Sequence, residues 1–317
     1  MINPLKLLLP LVLLACTPAA LTAEDAAPAP KPKKIVFIAG SPSHGYGNHD
    51  FKSGCNLLAK LLNESGQPVK AEVCYPGWPK DASILADADA IVVYADGGRG
   101  NPLIPHLKEL DALAKKGVGI GMMHYAVECP KGEAGDKFME WTGGFYETLH
   151  SCNPMWEADF KSFPDNPVTR GVTPFRAMDE WYFCLNFAES PVKPTPILRA
   201  TPSDAVRNGP YSGPAGPYKH IQEAKGRTET LMWTLVRPEG GRGFGFTGGH
   251  KHWNWGKPQQ RAVILNAIVW IAGLEVPAGG VPSPKLTFKD LDTNMDEAKP
   301  AHFDSAAVEK QLAEWQK

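Results

Sequence analysis

The sequence lacks an excess of charge of either sign. Among its 317 residues, 33 are Lys or Arg and 34 are Asp or Glu, so the formal net charge is −1. Proteins that bind nucleic acid usually carry a basic surplus, and the balance found here therefore gives no reason to expect a nucleic-acid partner.

Cysteine pairs with metal-binding spacing are also missing. None of the six cysteines belongs to a CxxC motif, which argues against a zinc site built from cysteines. Five of them could be oxidised in an exported protein, and an odd number leaves at least one thiol unpaired. The sequence leaves the pairing open among Cys55, Cys74, Cys129, Cys152 and Cys184.

The apolar run near the N-terminus, Leu7 to Ala15, is too short to cross a bilayer. Such a run is typical of a secretory signal peptide, and we assign residues 1–23 to one. The segment Leu13 to Cys16 resembles a bacterial lipobox, in which Cys16 would carry lipid and begin the mature chain. The alternative is ordinary signal-peptidase cleavage after Ala23. We therefore expect an exported bacterial protein, either periplasmic or anchored to the membrane only through lipid on Cys16.

Three further segments follow from composition. Residues 24–33 are rich in Ala, Pro and Lys and predict a linker that cannot bury a core. Residues 34–278 then have a length that suits one α/β domain. Residues 279–317 are interpreted as a C-terminal tail that contains a short helix near its end.

Apolar runs alternate with segments of helical periodicity through the first half of the domain. This alternation predicts an α/β fold with a mostly parallel, doubly wound sheet of the flavodoxin-like kind. A later helix is apolar on nearly all sides and is expected to be buried. The predicted strands are 34–40, 69–74, 90–94, 118–123, 230–235 and 243–247, and the buried helix is 261–272.

Histidines, acidic residues and glycines follow several of these strands. Ligands of open parallel sheets bind beyond the carboxyl ends of the strands, so residues at these positions are expected to converge on one crevice. Imidazoles there can transfer protons near neutral pH or bind metals. The residues that follow the strands are His44 and His49, Asp96, His124, and His250, His252 and Trp253.

Most of these side chains also have a purely structural interpretation. His49 could belong to the cap of the first helix, and His124 could be a hydrogen-bonded core histidine. Trp253 could pack against the buried helix. His252 would share a face with His250 on an extended chain, but only His250 would point inward if the chain curves there.

A metal ion is a further option. Three protein ligands and one open position make a catalytic zinc site, and His124, His250 and Glu180 are residues of suitable type, with His44 as an alternative to Glu180. Their spacing matches no metal-binding signature. A divalent metal such as zinc is therefore compatible with the sequence, without being required by it.

Taken together, six segments resemble the ThuA-like proteins (trehalose utilisation), which share the class I glutamine-amidotransferase-like fold. The resemblance extends over nearly all of residues 34–273 and implies a role in the catabolism of disaccharides, including oxidised (keto) sugars. The segments are Ser43–Gly45 with His49, Asp96–Gly98, Met122–His124, Gly143–Phe145 with His150, Asn166–Gly171 leading to Met178–Tyr182, and Gly241–Gly243 through Gly249–His250.

The sequence departs from this pattern at two places. The family often has His-Pro where this chain has Asn166-Pro167. In the amidotransferases, a cysteine nucleophile lies on a tight turn after a strand equivalent to Gly119–Met123, but this chain has His124-Tyr125 there. Cys129 lies too far along the chain to replace it, so we do not expect glutaminase activity.

The strand ends and the resemblance lead to one main hypothesis: an enzyme that processes a disaccharide or keto-glycoside by hydrolysis, elimination or isomerisation. The alternative is a non-catalytic carbohydrate-binding or scaffold lipoprotein with the same pocket. We expect His124, Glu180 and His250 to be catalytic residues or metal ligands. The expected substrate-binding residues are His44, His49, Asp96, His150, Asp179, Arg242, His252 and Trp253.

Overall fold

The fold is an α/β arrangement around one large, mainly parallel sheet. A computed structural model describes Met1 and residues 31–189, 192–211 and 218–317. The proposed signal peptide with Cys16 and nearly all of the proposed linker lie outside the described residues. One unit comprises Pro32–Lys317, and within the described ranges no helix is both long and apolar enough to cross a membrane.

The described residues form twelve strands and eight α-helices. The strands are β1 (Lys33–Ala39), β2 (Val69–Cys74), β3 (Ala90–Tyr94), β4 (Gly119–Met123), β5 (Glu128–Cys129), β6 (Gly144–Glu147), β7 (Met155–Phe160), β8 (Phe175–Glu180), β9 (Asn186–Phe187), β10 (Thr195–Ala200), β11 (Glu229–Val236) and β12 (Arg242–Phe246). The helices are α1 (Phe51–Glu64), α2 (Leu107–Ala114), α3 (Glu133–Thr142), α4 (Asp204–Arg207), α5 (Lys219–Glu223), α6 (Pro258–Ile271), α7 (Phe288–Leu291) and α8 (Ser305–Trp315).

The large sheet has the strand order β10-β11-β12-β4-β3-β1-β2. The five strands from β12 to β2 run parallel, and β11 and β10 add an antiparallel edge. The predicted α/β fold with a mostly parallel sheet is therefore confirmed. Two smaller sheets accompany it, one formed by β5, β6 and β9 and the other by β7 and β8.

Four parallel strands end in register. Ala39 pairs with Tyr94, Tyr94 with Met123, and Met123 with Phe246, and each is the last residue of its strand. The segments that follow β1, β3, β4 and β12 must therefore begin at the same edge of the sheet. This register explains why distant parts of the sequence can build one site.

Both faces of the central sheet are covered. On one face, Phe37 packs in a core with Leu58 of α1 and Ile264 of α6. On the other face, Val36 belongs to a second core that includes Leu110 of α2. Strands buried on both sides have no polar alternation, which is why their sequences are continuous apolar runs. Helix α6 is buried along most of its length, as its sequence predicts.

The C-terminal segment packs on the same core as the sheet. Leu291 of α7 and Leu312 of α8 belong to the core that contains α1 and α6. The hydroxyl of Ser53 in α1 donates a hydrogen bond to the backbone oxygen of Thr293 at 2.7 Å. Leu312 packs against Gly256, so α8 supports the turn that follows β12.

Candidate active site

Four side chains meet at the carboxyl end of the sheet. His49 precedes α1, His124 follows β4, Glu180 ends β8, and His250 follows β12. Each offers one nitrogen or oxygen atom, and these four atoms all lie within 4.8 Å of one another. We refer to His49, His124, Glu180 and His250 as the four-residue cluster.

His49 lies at the centre of this cluster. Its Nε2 atom is 2.9 Å from Nε2 of His124 and 2.9 Å from Nδ1 of His250. The Oε2 atom of Glu180 lies 3.3 Å from Nδ1 of His250 and 3.6 Å from Nε2 of His124. The side chain of His124 is 0% exposed and that of His250 is 14% exposed, so solvent reaches the cluster most readily at His250.

Two of these histidines have left-handed backbone conformations. The φ angle is 51° at His49 and 54° at His124. A non-glycine residue in this region costs on the order of 1–3 kcal/mol, and such residues are concentrated at functional sites. At His49 the turn is held by its N–H, which donates to the backbone oxygen of His250 at 3.1 Å.

His124 occupies the turn where the amidotransferase resemblance would place a nucleophile. The residue after β4 is thus an imidazole in a strained conformation, and no thiol replaces it there. Cys129 is buried, and burial raises the pKa of its thiol, which disfavours the reactive thiolate. All five cysteines of the described domain are free and buried.

Hydrogen bonds on the outer side of the cluster orient its rings. Nδ1 of His124 lies 2.9 Å from the backbone oxygen of Thr247. Nδ1 of His49 lies 3.3 Å from Oδ1 of Asp96. The hydroxyl of Tyr182 donates to Oε2 of Glu180 at 3.2 Å. Each side chain of the cluster is therefore fixed by a partner outside it, except for the more exposed His250.

Burial keeps the inner imidazoles neutral. It lowers the pKa of His49 to about 2, with further lowering by the neighbouring His250 and His44. Burial likewise lowers the pKa of His124 well below its ordinary value, and His49 adds to this effect. Neutral imidazoles keep a lone pair, which can accept a proton or bind a metal.

An open cleft adjoins the cluster. It has a volume of about 630 Å³ and is lined by the glycine-rich turn after β3, together with Asp96, Tyr125, Glu128 and Thr148. Glu128 is buried, and burial raises its pKa to about 7, with a smaller contribution from Glu180. Glu128 and Tyr182 were not among the expected site residues, although Glu128 follows the same strand as His124 and Tyr182 lies two residues after Glu180.

His44 and Asp96 lie at the mouth of the site, and their expected contact with substrate stays a prediction. The His44 side chain is exposed, and its ring centroid lies 3.7 Å from that of His49. Asp96 accepts a hydrogen bond from the hydroxyl of Ser43 at 2.9 Å. Together with His49, these two residues form a second group of close ligand-type side chains.

Asp179 and Trp253 support the site from behind. Asp179 is 0% exposed and accepts backbone hydrogen bonds from Gly249 and Lys251, so it cannot contact substrate directly as we expected. The ring of Trp253 packs at 5.4 Å from that of Tyr46. Trp253 also packs near Phe288 and Phe303, and its expected stacking on a sugar stays a prediction.

Three expected substrate-binding residues lie away from the cluster. Arg242 begins β12 and is therefore at the opposite end of the sheet, where it donates to the backbone oxygen of Trp270 at 2.8 Å. His252 is fully buried, and its Nε2 lies 2.9 Å from the backbone oxygen of Leu291. The ring of His150 stacks on that of His220 at 4.6 Å.

Comparison with known proteins identifies the family. The family model for ThuA, described as trehalose utilisation, matches residues 35–271. The chain belongs to the ThuA family. This confirms the resemblance that the sequence motifs indicated. The reaction stays open, since the family description, trehalose utilisation, names no chemical step.

Solved structures show the same ThuA-like fold. A ThuA-like protein from Bacteroides uniformis ATCC 8492 matches with a TM-score of 0.53 and 15% identity, covering 79% of this chain and 95% of that chain. A ThuA-like protein from Parabacteroides merdae ATCC 43184 matches with a TM-score of 0.53 and 14% identity, covering 82% and 99%. Comparison with curated proteins gives no significant match.

Proposed function

We propose that this ThuA protein is an exported enzyme of carbohydrate catabolism that transfers a proton beside the carbonyl of a keto-disaccharide or keto-glycoside. Elimination or isomerisation would follow from such a step. The observation that carries the proposal is the convergence of neutral, buried imidazoles and a carboxylate beside an open cleft. Membership of the trehalose-utilisation family supports the carbohydrate substrate. The apolar run before Cys16 supports export.

The cleft suits a small hydroxyl-rich ligand. Its volume of about 630 Å³ lies within the usual range for small-molecule sites. Asp96, Arg99 and Thr148 supply donors and acceptors along its wall, and the glycines of the turn allow close approach of the ligand to the backbone. We therefore place the sugar between this turn and His250.

The acid and base roles follow from exposure and pKa. His250 is the most exposed member of the four-residue cluster and is the group that we propose removes the proton, with Glu180 3.3 Å from its ring. Glu128, whose pKa burial raises to about 7, can hold a proton for the departing oxygen.

Hydrolysis of an unoxidised glycoside is the less favoured reaction. It commonly uses two carboxylates on either side of the scissile bond. Here the most accessible group of the cluster is an imidazole, and the cluster carboxylate, Glu180, is buried behind it. An imidazole can act as the general base that removes a proton from carbon next to a carbonyl.

Turnover in deuterated water tests the reaction. The purified full-length chain is incubated with a keto-disaccharide and, separately, with its unoxidised parent, and products are followed by mass spectrometry and NMR. We expect deuterium to enter beside the carbonyl of the oxidised sugar only. Glycosidic cleavage of the unoxidised parent, without deuterium entering at carbon, would contradict proton abstraction and favour hydrolysis.

A matched pair of histidine variants separates an enzyme from a binding protein. His250→Ala is expected to lower kcat by about 100-fold or more, as loss of a general base does, while sugar binding measured by calorimetry is retained. His220→Ala changes an exposed histidine outside the cluster and should leave turnover unchanged. Sugar binding without turnover in the unmodified protein would instead indicate a non-catalytic carbohydrate-binding protein.

A further inference from the structure

We propose that the four-residue cluster of His49, His124, Glu180 and His250 binds one divalent transition-metal ion of the zinc class. The ligand atoms would be three imidazole nitrogens and one carboxylate oxygen. The ion would occupy the only free lone pair of the neutral His250 ring, so this imidazole can act as the proposed base only in the metal-free protein, and the metal site stands or falls independently of the proposed reaction. It also adds His49 to the three ligands that the sequence suggested, since that residue was expected only to contact substrate.

The hydrogen bonds outside the cluster fix which ring nitrogens carry hydrogen. The backbone oxygen of Thr247 can only accept, so Nδ1 of His124, 2.9 Å away, must be the protonated nitrogen. The carboxylate of Asp96, 3.3 Å from Nδ1 of His49, can likewise only accept a hydrogen bond. The hydrogen of the His49 ring therefore lies on Nδ1. In both neutral rings, Nε2 is then left with a lone pair.

These two lone pairs point at each other. Nε2 of His49 and Nε2 of His124 are 2.9 Å apart, a distance at which two acceptors repel. Oε2 of Glu180, a third acceptor, lies 3.6 Å from Nε2 of His124. The hydroxyl of Tyr182 lies 3.3 Å from Nε2 of His124 and 3.2 Å from Oε2 of Glu180, and its single hydrogen can bond only one of these two atoms. A cation shared by all of them removes the repulsion, whereas one added proton would bridge only a single pair.

The distances fit a tetrahedral ion. Zinc–nitrogen bonds of about 2.0 Å at tetrahedral angles place neighbouring ligand atoms about 3.3 Å apart. The four contacts measured between ligand atoms of the cluster are 2.9, 2.9, 3.3 and 3.6 Å. The other two pairs of ligand atoms lie within 4.8 Å, so closing the cluster around one ion requires them to draw together by up to about 1.5 Å.

The donor set selects the class of metal. Calcium and magnesium prefer cages of oxygen atoms, whereas imidazole suits zinc and neighbouring transition metals. The outer hydrogen bonds also match the usual surroundings of a metal-binding histidine, whose second nitrogen donates to a carboxylate or a backbone oxygen. Asp96 and Thr247 have these roles for His49 and His124.

Metal binding can be measured without any substrate. The full chain is treated with a chelator, dialysed, and titrated with zinc chloride by calorimetry and with cobalt chloride by visible absorption. We expect about one equivalent of zinc per chain and intense cobalt bands typical of a four-coordinate site. Magnesium chloride at the same concentration should give no comparable binding.

Substitutions assign the ion to the cluster. His49→Ala and Glu180→Gln should each weaken zinc binding by about 100-fold or more, and Asp96→Asn should weaken it by about 10-fold to 100-fold through loss of ring orientation. His220→Ala should bind zinc as the unmodified chain does. Circular dichroism confirms folding, and Asp96→Asn remains informative if a ligand variant does not fold.

Two results would overturn the site. One is a substoichiometric zinc content that no concentration of free zinc raises. The other is unchanged zinc affinity in folded His49→Ala and Glu180→Gln proteins, which would place the ion elsewhere on the chain. Neither result depends on turnover, so loss of the metal proposal and loss of the proposed reaction can be told apart.

Discussion

The buried carboxylate of Asp179 holds the backbone of Gly249, whose N–H donates to Oδ2 at 2.8 Å. Its other oxygen accepts the N–H of Lys251 at 3.1 Å. These two amides lie on either side of His250, so one carboxylate fixes the loop that presents this imidazole. The N–H of Glu180 also donates to Asp179, at 2.9 Å. Two members of the cluster therefore depend on a residue that contacts no substrate.

The variant Asp179→Asn tests this dependence. The amide replaces one accepting oxygen with an NH₂ group that faces backbone N–H donors, and it removes the charge that strengthens the remaining bonds. We expect the free energy of unfolding to fall by about 2–4 kcal/mol, measured by urea denaturation. Zinc affinity and turnover should fall as well, because the His250 loop loses its anchor.

A surface carboxylate on the neighbouring strand provides the control for this substitution. Asp159 of β7 accepts a hydrogen bond from the partly exposed Arg176 at 3.0 Å. Asp159→Asn should change the free energy of unfolding by less than about 1 kcal/mol, as is usual for exposed pairs. Equal urea midpoints for the two variants would contradict the anchoring role of Asp179.

Gly97→Ala tests the glycine-rich wall of the cleft. A methyl group at Gly97 would collide with the backbone oxygen of Tyr125 and lie 2.8 Å from Cβ of Glu128. A backbone atom cannot turn aside, so the wall must shift, and overpacking of this kind costs about 1–3 kcal/mol. We expect lower stability in thermal unfolding and lower turnover, because Asp96 and Glu128 move apart.

Gly100→Ala is the matched control in the same turn. A methyl group there meets no heavy atom within 4 Å. The variant should therefore be neutral or slightly stabilising, since alanine restricts the unfolded chain more than glycine does. Similar losses of stability in the two variants would mean that chain flexibility, and not the close packing of Gly97, matters in this turn.

The central parallel strands were predictable because a strand buried on both faces is a continuous apolar run that is easily recognised in the sequence. Strands β2 and β3 have the bounds predicted from the sequence, Val69–Cys74 and Ala90–Tyr94. Strand β3 is a short apolar run bounded by polar residues, as a buried parallel strand requires. Strand β2 contains Lys70 and Glu72, which suits its position at the edge of the sheet. The convergence of His124 and His250 followed from the same sheet, because His124 comes directly after β4 and His250 lies in the loop that follows β12.

The positions of Arg242, His252 and His49 depend on the path of the folded chain, which local sequence patterns do not predict. Arg242 was placed in the crevice although it begins its strand, and the beginning of a parallel strand lies at the opposite edge. His252 starts a 3₁₀ turn, His252–Gly256, which turns its ring away from His250 towards Leu291. His49 reaches the centre of the cluster because its backbone is left-handed, with a φ angle of 51°. A histidine in the sequence does not predict this conformation.

Leu312→Ala tests whether the C-terminal segment is part of the folded domain. Leu312 of α8 is 4% exposed and packs on Gly256, in the turn that follows His250. Truncating a buried leucine leaves a cavity and costs about 2–5 kcal/mol. We expect a lower urea midpoint, with a single transition that includes the sheet. Gln311→Ala, at the exposed neighbouring position, should differ from the unmodified chain by less than about 0.5 kcal/mol.

Glu128→Gln tests the raised pKa of the cleft carboxyl. Burial raises the pKa of Glu128 to about 7 from an ordinary value of 4.5. Between these values the folded state keeps a proton that the unfolded state has lost, so the free energy of unfolding falls as pH rises. Glutamine stays neutral and can still accept the hydrogen bond from Thr148. The variant should therefore match the unmodified chain near pH 4.5 and become more stable by about 2–3 kcal/mol above pH 7.

The measurement is a series of urea titrations from pH 4.5 to 8 on metal-free protein. The difference in unfolding free energy between Glu128→Gln and the unmodified chain should grow through this window and then level off. Glu64→Gln, at an exposed position of α1, should show no such growth. If the Glu128→Gln difference is constant with pH, the carboxyl titrates alike in both states and cannot hold a proton for the leaving oxygen at neutral pH. The expected result is a stability difference that grows with pH, together with loss of turnover in Glu128→Gln. It would indicate that Glu128 lowers the stability of the fold at neutral pH and is needed for activity.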